Sequence, residues 1–157
     1  MPTMQIETTR FGTIEVSEQS ILHMADGMIG FEDYKRYVIL EEKPDTPFKW
    51  LQAVDNPALA FVVINPMDFV ADYEIELDEE QAKALDLRDP CEAGVLTTVT
   101  ISKDNGLVTT NLLGPIVVNS RTLQGKQIVL QSEKYGIKHM IGLWLQQEST
   151  PESQQAA

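Results

Sequence analysis

Apolar positions recur along most of this chain with the period of a β-strand. Met4 and Ile6 share one parity, Phe11-Gly12 turns the chain, and Ile14 and Val16 resume the pattern. Residues two apart lie on one face of a strand, so this stretch predicts a hairpin with one buried face. Val38-Ile39-Leu40 and Trp50-Leu51-Gln52-Ala53-Val54 are two more β-rich runs, separated by the Pro44–Pro47 loop. Leu59 to Ile64 is continuously apolar between Asn56-Pro57 and Asn65-Pro66, which predicts a strand covered on both faces. Val95 to Ile101 meets Leu107-Val108 across Asp104-Asn105-Gly106, and Asn-Gly is the signal of a type I′ hairpin turn, with φ > 0 at both central residues. Ile116-Val117-Val118 and Ile128-Val129-Leu130 flank a loop holding Gly125.

One helix is signalled by its start. Asp78-Glu79-Glu80-Gln81 has the capping-box spacing, with Asp78 at the N-cap and Gln81 three residues on. Pro90 lies beyond its end. A second short helix is expected near Ser132 to Tyr135. Nine or ten short strands with one or two helices predict a mainly β fold, a small closed or nearly closed antiparallel β-barrel. Residues 1–145 read as a single domain, and residues 146–157, polar and small, as a disordered tail.

Composition narrows the function classes. The chain has 157 residues with 24 acidic and 12 basic side chains, a formal net charge of −12. Such a surface repels phosphate backbones, so no direct nucleic-acid partner is expected. It favours a basic protein partner instead. No apolar run reaches ~18 residues, so no membrane span is expected. The first residues, MPTMQIETTR, hold no apolar signal segment. With a single cysteine, Cys91, this suits the cytoplasm.

Chemistry is sparse. His23 and His139 lie far apart without a second histidine at ligand spacing, so each reads as a surface or satisfied core residue and no metal is expected. Cys91 sits in Asp89-Pro90-Cys91-Glu92, where carboxylates raise a thiol pKa and quench its nucleophilicity. Gly27 and Gly30 read as turn positions, not a phosphate loop. No catalytic residue and no cofactor emerges.

The charge itself is local. Residues 68–92 hold ten carboxylates and two cations, a net −8. Within them Phe69, Ala71, Tyr73, Ile75 and Leu77 share one parity, while Asp72, Glu74 and Glu76 take the other. This predicts a strand with three carboxylates in a row outside. Such a row serves either as a solvated, aggregation-resistant edge or as a docking surface for a basic partner. Candidate contacts are Phe69, Asp72, Tyr73, Glu74 and Glu76, with Tyr73 also fitting the core by parity.

A wider pattern resembles the flagellar assembly factor FliW family. It runs from Gln5 to Gly142, through Phe11-Gly12, Gly27-Met28-Ile29-Gly30-Phe31, Phe48-Lys49-Trp50-Leu51-Gln52, Leu59 to Pro66 and Asp72-Tyr73. Thr110-Asn111-Leu112-Leu113-Gly114-Pro115-Ile116-Val117-Val118-Asn119 carries it most clearly, completed by Gly125 to Leu130 and Tyr135. Gly114 stands where Ala is common in the family. The resemblance implies a non-enzymatic partner-switch in a small β-barrel. Proteins similar to this bind the RNA-binding regulator CsrA, relieving its repression of flagellin translation, and also bind flagellin. A flagellin-only secretion chaperone, or a ligand- or metal-binding barrel using the acidic strand, are the alternative readings. Asn111, Pro115 and Asn119 form a second candidate contact, although the same residues serve to shape turns.

Overall fold

The computed structural model describes residues 2–41 and 45–143. The predicted tail, residues 146–157, and part of the Pro44–Pro47 loop lie outside the described residues. Eleven strands are formed among them. β1 (Thr3–Thr8) and β2 (Gly12–Ser17) make the expected hairpin. Gly12 closes it with φ +72°, and Thr8 Oγ1 donates to the Gly12 carbonyl at 2.8 Å.

The remaining strands are β3 (Leu22–Met24), β4 (Arg36–Leu40), β5 (Lys49–Ala53), β6 (Ala60–Ile64), β7 (Ala93–Ile101), β8 (Leu107–Thr110), β9 (Ile116–Asn119), β10 (Gln124–Gln127) and β11 (His139–Leu143). They run in the order β11-β8-β7-β6-β5-β4-β3-β10-β9, and β9 returns to β7. That last pairing closes a seven-strand ring, the expected barrel. Every pair is antiparallel except β3 with β10, which is parallel.

β8 and β9 lie one after the other along β7. Ile101 pairs with Val108 and Val99 with Thr110; then Leu96 pairs with Ile116 and Ala93 with Asn119. Residues 111–115 loop out between them. Beyond the loop-out the two strands diverge: β9 takes β10 and closes the ring, whereas β8 takes β11.

Burial follows the sequence pattern. Met24, Tyr37, Leu51, Ala53, Val63 and Ile116 fill the barrel. The hairpin covers a second cluster through Ile6 and Val16 on Val38 and Val54. β6 is covered on both sides as expected, with Val63 facing the barrel cluster and Val62 and Ile64 facing Val99 and Val108. Each buried aliphatic side chain of this kind stabilises by ~1.5–3 kcal/mol relative to exposure.

Four local expectations are corrected. Residues 69–77 join no ladder; a 3-10 turn, Pro66–Asp68, leads into an irregular segment. The alternation persists only in part: Tyr73 is buried, Ile75 and Leu77 half-buried, and Asp72, Glu74 and Glu76 exposed, but Phe69 and Ala71 are exposed too. The strand expected at Ile128–Leu130 begins earlier, at Gln124–Gln127, because the register with β9 places Gly125 against Val118. Ser132–Tyr135 is not helical. The β7–β8 turn is not type I′: only Gly106 has positive φ, +70°, and the Gly106 amide donates to the Ser102 carbonyl in a wider loop.

Candidate functional site

The acidic segment is the most chemically distinct part of the surface, and its frame comes from the loop-out and the strand after it. Tyr73 is 3% exposed, and its hydroxyl donates to the Leu112 carbonyl at 2.6 Å. Its ring meets Tyr135 edge-on with centroids 4.7 Å apart. The Tyr135 hydroxyl in turn accepts the Glu74 amide at 3.0 Å. Burial, and secondarily the neighbouring phenol of Tyr135, pushes the Tyr73 pKa well above the usual tyrosine value. Tyr73 is therefore packed in the core, as its parity also allowed.

The far end of the segment is anchored by Asn119, which is fully buried. Its Nδ2 donates to the carbonyls of Leu85 at 2.7 Å and Asp86 at 3.1 Å. Its Oδ1 accepts the amides of Arg121 and Thr122. Leu85 ends α1 (Glu79–Ala84), whose start carries the complete capping box of Asp78 and Gln81. Asn111 acts within the loop-out, its Oδ1 accepting the amides of Leu113 and Gly114, both at 3.0 Å. Pro115 is buried. Pro115 and Asn119 are thus enclosed, and with Asn111 they shape the backbone around the acidic segment. Phe69, at 37% exposure, lies at the start of the segment against Phe48.

Four of the ten carboxylates are used internally. Asp78 and Asp89 cap turns at Gln81 and Cys91. Asp86 and Glu92 both meet Arg121, at 3.2 and 2.8 Å. The backbone amide of Arg88, followed by the Arg121 guanidinium, holds the Glu92 carboxyl below its ordinary pKa. The other six are Asp68, Asp72, Glu74, Glu76, Glu79 and Glu80. Among the described residues their side chains make no hydrogen bond or ion pair. Arg121 is the residue that sequence reasoning missed. Nothing local marks it, since its partners lie 29 and 35 positions away.

A groove of about 640 Å³ lies between residues 74–78 and 128–132, with Tyr135 and Lys134 at its end. Among the described residues no group of three or more His, Cys, Asp or Glu side chains converges in a metal-binding arrangement. Cys91 is exposed, and the hydrogen bond and charge of Asp89 raise its thiol pKa. No helix among the described residues is long and apolar enough to cross a membrane.

Fold and surface together define a small acidic β-barrel that displays a belt of unpaired carboxylates beside a groove. Residues 5–141 match the family model described as FliW protein, and the chain belongs to that family. It is 43% identical over 136 residues to the flagellar assembly factor FliW of Geobacter sulfurreducens, covering 87% of this chain and 85% of that one. It is 37% identical over 139 residues to the flagellar assembly factor FliW of Ruminiclostridium cellulolyticum, covering 88% and 94%. A crystal structure of the flagellar assembly factor FliW superposes with TM-score 0.80 at 35% identity, covering 88% of this chain and 97% of the other.

Proposed function

We propose that this protein is a non-enzymatic partner-switch of flagellar assembly, binding the translational regulator CsrA and, alternatively, cytoplasmic flagellin. Family membership supports the flagellar setting. The observation that carries the choice of surface is the set of six unpaired carboxylates on one stretch of chain, tied to the core in its middle by Tyr73 and followed by the Asn119 anchor at Leu85. An RNA-binding regulator is basic where phosphates sit, so a row of carboxylates attracts it and at the same time opposes RNA. Asp72, Glu74 and Glu76 make the contact in this reading, with Phe69 as an apolar neighbour. Tyr73, Asn111, Pro115 and Asn119 act by positioning them. Flagellin accumulating in the cytoplasm occupies the protein, frees CsrA and lowers flagellin translation.

Calorimetric titration of CsrA into the protein, alone and with flagellin already bound, tests this. Binding that flagellin abolishes is the expected result. Heat with flagellin only would leave a secretion chaperone, and heat with neither would overturn the proposal.

A further inference from the structure

The groove beside the acidic row has walls of a particular kind. Residues 73–78 alternate between inward and outward burial, as an extended chain does. Among the described residues no hydrogen bond uses the amides of Ile75, Glu76 or Leu77. On the opposite wall, the amides of Ile128 and Leu130 donate to the carbonyls of Pro115 and Leu113, each at 2.8 Å. Backbone groups on successive residues of an extended chain point to opposite edges. The amide of Val129 therefore faces away from residues 113–115 and is likewise unused among the described residues. By the same alternation the amides of Ile75 and Leu77 share one edge and that of Glu76 the other, so each edge of residues 75–77 carries an unused amide. Unused backbone on both walls is what an added strand pairs with.

The side chains define the occupant. Leu77 and Ile128 give the groove apolar lining, while Glu74, Glu76 and Asp78 rim it, with Lys134 as the cation in the lining. A second copy of this chain would bring the same carboxylates. Residues 144–157 carry Glu148 and Glu152 and no cation, so both occupants meet like charge.

We propose that this groove accepts an extended segment of a partner protein in which lysine or arginine alternates with apolar residues, added as a strand. Backbone pairing supplies the register, the apolar side chains enter the groove, and the cations reach Glu74 and Glu76. Residues 74–78 at ~3.3 Å per residue match a segment of roughly five residues. The inference rests on the reading of the acidic row as a docking surface and adds the mode of binding.

The test is an amide NMR titration of the full chain with capped synthetic peptides of about seven residues, long enough to overhang that span. One alternates lysine and valine, one is the same with every second amide N-methylated, and one alternates glutamate and valine. The expected result is shifts at Ile75–Leu77 and Val129 with the lysine peptide, at least about tenfold weaker binding after methylation, and none with the glutamate peptide. Methylation removes backbone donors and keeps charge. Equal binding of the two lysine peptides, shifts elsewhere, or no binding at about 1 mM would overturn the strand mode. If the two bind equally and E74K/E76K weakens both, the acidic docking face stands and only the strand mode fails. If E74K/E76K leaves CsrA binding unchanged, the docking face itself fails.

Discussion

The hydroxyl of Tyr73 and the carbonyl of Leu112 meet at 2.6 Å inside the protein, 39 residues apart in the chain. This bond ties the acidic segment to the loop-out between β8 and β9. The substitution Tyr73→Phe keeps the ring against Tyr135 and leaves the Leu112 carbonyl without this donor. A loss of about 1–2 kcal/mol is expected, read as a lower urea midpoint at unchanged slope.

Asn119→Ala removes four hydrogen bonds at once, two to carbonyls after α1 and two from the following turn. Because the site is buried, the stranded groups are costly, and about 2–4 kcal/mol of destabilisation is expected. Hydrogen exchange should quicken first in α1 if the anchor acts locally.

Gly27 and Gly30 separate conformational cost from collision. Both have positive φ, +66° and +89°. A Cβ on Gly27 would stand 2.7 Å from the Glu32 Cα and 2.9 Å from two carbonyl oxygens, whereas a Cβ on Gly30 meets nothing within 4 Å. Gly30→Ala should cost about 1 kcal/mol, and Gly27→Ala measurably more, in paired thermal melts.

Reversing Asp72, Glu74 and Glu76 to lysine should weaken CsrA binding at least about tenfold while leaving the melting temperature within a few degrees, since exposed sites rarely exceed ~0.5 kcal/mol each. Wild-type affinity should also fall steeply with added salt. A flat salt dependence would refute the electrostatic attraction.

The Tyr37 hydroxyl is buried without a hydrogen-bond partner among the described residues. Burial first, and the neighbouring Tyr34 second, raise its pKa from 10.0 to about 12. The unfolded chain ionises more readily than the native one. The stability from a neutral Tyr37 is therefore complete below about pH 10 and is lost as pH rises towards 12. Tyr37→Phe should be neutral or stabilising at pH 7 and should flatten the alkaline limb of a stability–pH curve.

Much of this was legible locally. The two-sided cover of Ala60–Ile64 shows in its apolar run, although distant residues such as Val99 and Val108 supply it, while the hairpin of Ile6 and Val16 and the capping box of Asp78 and Gln81 rest on near neighbours in the chain. Parity and capping report such neighbours directly. The acidic concentration is also a property of the chain alone. The error at residues 69–77 is instructive, because alternation records which side is buried and not whether a ladder partner exists. Tyr73, Ile75 and Leu77 turn inward without any adjacent strand.

What the sequence determined by itself is the set of local elements and the charge they carry. Only the tertiary structure decided that β9 returns to β7, that residues 111–115 loop out to receive Tyr73, and that Asn119 and Arg121 clamp carboxylates and carbonyls some thirty positions away. Those pairings are choices among distant backbone groups of equal intrinsic capacity. Shared burial selects those of Tyr73 and Asn119, and the pairing of β9 with β7 brings the exposed Arg121 beside Glu92; no pattern within a short window encodes that selection.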